Sequence, residues 1–169
     1  MILEAFKHGL YQQNYTMMVY EFKNVYDGSY FKLTPQDSIK TQNLLGSDIA
    51  MIFDCLIDFD KPDEEQKRAI EVTKKWASLA KETHNNSLQS LFGIVQGGLN
   101  FNLREDSAKS MIDLDFDGYA IGGLAIGESR EERKSVVEFL SNVLPVDKPR
   151  YVMGLRDTIG LIDLIDSSV

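Results

Sequence analysis

The sequence predicts an α/β fold organised on parallel strands, and three observations carry that expectation. Short strand-like runs occur at 48–53, 91–96, 118–123 and 150–155, and the one at 91–96 is apolar and β-branched, as suits a strand buried in a parallel sheet. Each is followed by a helical pattern, starting near residues 62, 103, 129 and 159. The connections are short, and strict alternation over short loops argues right-handed βαβ units sharing one sheet.

The elements can be justified in chain order. Residues 1–18 scatter Tyr11, Tyr15, Met17 and Met18 among polar residues at no clean period, and no element is assigned there. Residues 19–33, VYEFKNVYDGSYFKL, hold two aromatic-rich runs around Asp27-Gly28, where glycine supplies the positive φ of a hairpin turn. Thr34-Pro35-Gln36-Asp37 opens a helix: threonine caps, proline suits the first helical position, and Asp37 meets the positive end of the dipole. Ile39, Leu44 and Leu45 should form its apolar side, and Gly46 should end it.

A long helix should start near Pro62, with Asp63, Glu64 and Glu65 in its first turn and Asn85-Asn86 ending it. Its buried stripe should be Ala69, Ile70, Trp76, Ala77 and Ala80. Helix 103–113 should turn Leu103, Met111 and Ile112 inward. Ser129 and Glu132 have the spacing of a capping box, and Val136, Val137, Leu140, Val143 and Leu144 should face a sheet. Residues 159–165 read as a further helix. The chain is thus expected to be a single domain over 1–169, with a β-hairpin at 19–33 and βα units over 34–169.

Two architectures fit the alternation, a doubly wound open sheet or part of a (β/α)8 barrel. A complete barrel typically needs about 250 residues, so about four βα units would make half of one.

Composition narrows the functions. With 43% hydrophobic and 26% charged residues this is ordinary globular material. A single cysteine, Cys55, allows no intrachain disulfide, and with only two histidines it cannot complete a four-ligand zinc site without other ligands. No apolar run approaches the roughly 18 residues of a membrane span, and residues 1–15 lack a signal-peptide pattern, so the expected compartment is the cytoplasm. A net charge of −8 does not suit gripping nucleic acid unaided, since that needs a basic face to displace counterions.

Candidate chemistry collects where the strands end. LFGIVQGG, residues 91–98, closes an apolar strand with one amide, Gln96, and two glycines, so a ligand could approach the backbone there. Gln96 offers a donor and an acceptor together, as the edge of a nucleobase or amide requires, or is a satisfied buried amide. Asp54 follows Met51-Ile52-Phe53, where a carboxylate could accept ligand N–H groups or cap a loop. Gly122-Gly123 would let a backbone N–H reach a ligand, or serves only the turn. Met153 is an apolar floor for a flat ring or a core residue. Asp58, Asp60, Asp63, Glu64 and Glu65 could suggest a metal but read more simply as a solvated acidic loop, and His84 as a helix-end dipole partner. Neither a phosphate loop nor a nucleophile-and-base pair is evident.

Taken together, FKLTPQDSIKTQNLLGSDIAMIFD, LFGIVQGG, FDGYAIGGLAIGES and DKPRYVMG closely resemble the tRNA-guanine transglycosylases, or queuine tRNA-ribosyltransferases, in wording, order and spacing from about Glu21 to Val169. The resemblance implies an irregular (β/α)8 barrel with an appended zinc subdomain, and exchange of guanine at the tRNA wobble position for a 7-deazaguanine. The reaction it implies is a double displacement, in which an aspartate attacks the ribose anomeric carbon. Carried over, Asp54 would hold the N–H edge of the purine, and Gln96 and the Gly123 N–H would contact its carbonyl oxygen. The Leu124 carbonyl would meet the 7-substituent, and Met153 would pack on the ring. Ile126, bulky where eukaryotic members have glycine, points to the bacterial type, which uses 7-aminomethyl-7-deazaguanine.

The same resemblance places other parts elsewhere. Residues 1–18 contain no DSGG motif, the nucleophilic aspartate would begin a motif just past Val169, and the zinc site and basic tRNA surface would follow it. No catalytic residue or metal site is therefore expected within these residues, which should be inactive alone and recognise tRNA only with the missing regions. Such a partial chain should bind guanine or a 7-deazaguanine, and should pair with itself or a partner chain; the alternative is a non-catalytic deazapurine-binding subunit. Phe53-Asp54-Cys55-Leu56 also departs from the family's Phe-Asp-Glu-Cys beside the pocket.

Overall fold

A computed structural model describes residues 14–15, 19–24, 26–155 and 158–166. Two sheets form. An antiparallel three-stranded sheet contains β1 (Asn14–Tyr15), β2 (Tyr20–Lys23) and β3 (Tyr30–Leu33), in that order. The expected hairpin is its β2–β3 half, with Tyr20 opposite Leu33 and Lys23 opposite Tyr30. β1 lies within residues 1–18, where no periodicity assigns an element; the rest of 1–18 falls outside the described residues.

The second sheet is parallel, in the order β4 (Ile49–Met51), β5 (Ser90–Val95), β6 (Gly118–Ile121) and β7 (Arg150–Val152). Sequential strands are neighbours throughout, so all four end along one rim. Helices α1 (Pro35–Leu45), α2 (Asp63–Thr83), α3 (Phe101–Ile112), α4 (Arg130–Val143) and α5 (Thr158–Asp166) complete the α/β alternation.

The helix ends follow local chemistry. Thr34 caps α1 through Asp37 in a reciprocal box, Ser129 and Glu132 do the same for α4, and Gly46 closes α1 in the left-handed conformation at φ 67°. Two expectations are corrected. The inner side of α1 is Pro35 and Ile39, while Leu44 and Leu45 are 89% and 76% exposed: at 3.6 residues per turn they lie about 140° and about 120° around the helix from Ile39, off the covered face. Helix α2 stops at Thr83, before Asn85-Asn86, although its expected stripe is buried in full. α5 keeps Leu164 and Asp163 inside but leaves Ile159, Leu161, Ile162 and Ile165 exposed. Its Asp163 accepts two hydrogen bonds from Arg130, which ties α5 to α4.

The main core lies between the parallel sheet and its helices, and includes Ile39, Leu91, Ile94, Val95, Met111, Phe116, Tyr119, Ile121, Val137 and Leu140. A smaller cluster of Cys55, Ala69, Val72 and Trp76 packs beside β4, with Phe53 stacked on Trp76 at 5.1 Å between ring centroids. Cys55 is buried there and its N–H donates to Thr73 Oγ1 at 2.9 Å.

The free edge of β4 is held by a side chain. Gln42 of α1 accepts from the Met51 N–H and donates to the Met51 carbonyl, both at 2.9 Å, and Ser47 Oγ donates to the Ile49 carbonyl at 3.0 Å. An edge strand otherwise presents unpaired backbone groups. Gln42→Ala should remove both amide bonds and lower stability by about 1–2 kcal/mol, read as a lower urea midpoint at unchanged slope.

Candidate functional site

The four strand ends converge as the sequence suggests. Asp54 lies three residues past β4, Gln96 directly after β5, Gly122 and Gly123 directly after β6, and Met153 directly after β7. Two last rungs set their height: the Gly122 N–H donates to the Val95 carbonyl at 3.0 Å and the Met153 N–H to the Ile121 carbonyl at 3.1 Å.

Gln96 is 5% exposed, and its Nε2 donates to Asp54 Oδ2. Its own N–H donates to Ser107 Oγ at 3.0 Å, which fixes the backbone from below. Asp54 retains some accessible surface as a residue, yet protein crowds its carboxyl group. Desolvation pushes the pKa up from 3.8 to about 6, opposed by the hydrogen bond from Gln96. The two side chains form a linked pair with a second amide hydrogen and a second carboxylate oxygen beyond the bond they share, so a donor and an acceptor stand side by side.

The glycines after β6 make room for that pair. A Cβ on Gly122 would lie 2.7 Å from Gln96 Nε2, and one on Gly123 2.5 Å from Gln96 Oε1. Gly123 is also left-handed, at φ 65°. Leu124 buries its side chain in the core, and its carbonyl would lie 3.5 Å from a Cβ on Gly154. Met153 is half-buried and packs against the main core from the neighbouring turn. All five residues singled out in sequence therefore border one rim, with Asp54, Gln96 and Gly123 in closest association.

Residues that sequence reasoning missed hold this rim in place. Arg104 of α3 is 0% exposed and donates to the carbonyls of Gly98 at 2.8 Å, Val95 at 3.1 Å, Gly122 at 2.7 Å and Gly123 at 3.3 Å. Burial lowers its pKa to about 9, and Glu128 acts to raise it, so Arg104 stays charged at neutral pH. Glu128 accepts from the N–H groups of Ala125 at 2.6 Å and Ile126 at 3.1 Å, and Arg133 lies 3.5 Å from it. Ala125 is held left-handed at φ 60° by these bonds. The signal for Arg104 is positional: with Ser107, Ala108 and Met111 it lies on the i, i+3, i+4, i+7 stripe that faces inward.

Next to the rim, a cleft of about 240 Å³ is lined by Phe59, Lys61, Asp63, Gln66 and the stretch from Gly97 to Asn100, and by none of the five predicted residues. The acidic residues Asp58, Asp60, Asp63, Glu64 and Glu65 are exposed. Among the described residues no group of three or more His, Cys, Asp or Glu is placed to hold a metal. Nor is any described helix long and apolar enough to cross a membrane.

Fold and site define a parallel α/β protein with a linked Asp–Gln pair and two close-packed glycines at its strand ends. The family model for queuine tRNA-ribosyltransferase matches residues 5–168. Proteins of that name are similar to this chain: one from Enterococcus faecalis is 47% identical over 143 residues, covering 84% of this chain and 38% of its own. Another, from Bacillus licheniformis, is 46% identical with the same coverage, and one from Thioalkalivibrio sulfidiphilus is 40% identical over 149 residues, covering 88% of this chain and 40% of its own. The chain belongs to the queuine tRNA-ribosyltransferase family. It spans about two fifths of the length of the curated relatives it matches.

Proposed function

We propose that this chain supplies the base-recognition wall of a tRNA-guanine transglycosylase, the enzyme class that exchanges guanine at the tRNA wobble position for a 7-deazaguanine. The observation that carries this reading is the Asp54–Gln96 pair at the sheet rim with Gly123 beside it. Guanine presents an N–H next to a carbonyl. The free carboxylate oxygen of Asp54 accepts from the first, while the second amide hydrogen of Gln96 and the Gly123 N–H donate to the second. A base with the wrong edge leaves these groups unpaired in a crowded site, which penalises it.

In this reading the Leu124 carbonyl receives the 7-substituent and Met153 packs on the ring. Ile126, 42% exposed, narrows the room beyond and favours 7-aminomethyl-7-deazaguanine, as in bacterial members. The nucleophilic aspartate, a zinc site and the basic surface for tRNA belong to regions outside these 169 residues, so base exchange is a property of the whole assembly in a cytoplasmic setting. A barrel completed by further strands, or by a second or partner chain, would supply them.

Calorimetric titration with guanine, 7-aminomethyl-7-deazaguanine, queuine and adenine, whose edge reverses the donor and the acceptor, tests the reading. Saturable binding of the first two, weaker binding of queuine and none of adenine is expected. Equal binding of adenine and guanine, or no binding of either, would overturn it.

A further inference from the structure

We propose that Arg104 is a positioning residue for base recognition: by holding the Gly122 and Gly123 carbonyls inside the sheet end, it aims the Gly123 N–H at the carbonyl oxygen of a bound purine. The inference rests on the reading above and deepens it with a residue that touches no base.

The argument begins where the ladder stops. The last rung from β6 to β5 uses the Gly122 N–H, and the last from β7 to β6 uses the Ile121 carbonyl. The Gly122 and Gly123 carbonyls lie beyond both, and carbonyls crowded by protein must find donors. Arg104 provides them from beneath: Nη1 serves Gly122 and Nη2 serves Gly123. A trans peptide points its C=O and N–H in opposite directions. Fixing the Gly122 carbonyl toward Arg104 therefore turns the Gly123 N–H toward the opposite face, away from the core.

The same guanidinium links this strand end to its neighbour. Nη1 also reaches the Val95 carbonyl, the residue before Gln96, and Nε reaches Gly98 two residues after it. One rigid fork thus brackets Gln96 and sets Gly123, so the two donors for one carbonyl oxygen share one reference point. A lysine keeps the charge but has a single nitrogen on a flexible stem and cannot span four carbonyls. The effect of losing the fork should therefore be confined to recognition of the carbonyl oxygen.

The test compares guanine with 6-thioguanine, which keeps the N–H edge but replaces the carbonyl oxygen with a poor acceptor, in calorimetric titrations of the intact wild-type protein and Arg104→Lys. Wild type should prefer guanine about tenfold, as one hydrogen bond implies. Arg104→Lys should hold 6-thioguanine within about twofold of wild type and lose the preference for guanine. An equal loss for both bases would mean a merely structural role and would overturn the proposal, as would an unchanged preference. No binding of either base by wild type would overturn the base-pocket reading, and this role with it. Should Arg104→Lys not fold, Arg104→Gln, whose single amide can serve only some of the four carbonyls, is titrated in its place: loss of the guanine preference with 6-thioguanine binding kept supports the role, and equal loss for both bases or an unchanged preference refutes it.

Discussion

Asp54→Asn is expected to weaken guanine binding about a hundredfold or more while making the unliganded fold more stable. The binding loss follows from hydrogen-bond direction. Asparagine has one acceptor where the carboxylate has two, and that acceptor is already required by Gln96. The remaining NH2 then opposes the N–H edge of the base, and replacing a charged partner at a crowded site costs more than a neutral bond. The gain in stability follows from the carboxyl group's pKa, 3.8 in the unfolded chain and about 6 in the fold. The fold binds this proton more tightly, so the neutral acid's contribution is complete below pH 3.8 and is lost as pH rises through 6. At pH 7 the native protein carries a poorly solvated anion, and removing it should stabilise by about 1–3 kcal/mol. Calorimetric titration and thermal melts on the same sample read both effects. Binding to wild type should be flat above pH 6 and fall below it, and a variant that loses stability along with binding would refute the account.

Gly97→Ala should lower stability by about 3 kcal/mol or more. Gly97 has φ 132°, which L side chains rarely adopt, and an added Cβ would lie 2.8 Å from the Arg104 nitrogen and 2.9 Å from the Leu103 carbonyl carbon. Those are backbone atoms of α3, which cannot swing aside as a side chain could. Relief would require α3 to slide outward and take Ser107 and Arg104 with it. The loss should appear as a fall in urea midpoint accompanied by weaker guanine binding even in the fraction that remains folded. A variant of normal stability would show that α3 is not held against the strand end as described.

Asp54, Gln96 and Gly123 were legible in the sequence because each interrupts an apolar run at its end, and a polar residue there either meets solvent, a partner or a ligand. The caps at Thr34 and Ser129 were legible because their bonds span three residues and need nothing from the rest of the fold. Arg104 was not, since apolar periodicity does not score a cation on the inner face, and its four acceptors are supplied by strand ends that only tertiary structure brings near. Glu128 was missed for a similar reason: its role depends on a loop that curls back on it. Leu44 and Leu45 misled because hydropathy reports what a residue would prefer and not which side of the helix it occupies, and both lie far around the helix from Ile39. β1 could not be seen because two residues carry no period, and it exists only through pairing with β2.

The Gln42 clamp has a consequence for how the sheet finds its alignment. In a strand, successive N–H and C=O groups point to alternate sides, so only every second residue offers both to α1. Met51 does so in the native pairing, while the Ile52 N–H faces inward and donates to the Phe92 carbonyl at 3.1 Å. A slip of one position would turn every β4 side chain to the wrong face and withdraw both groups from the amide. Gln42 therefore acts as a key that fits a single setting, tying the alignment of the first parallel strand to a helix only a few residues away.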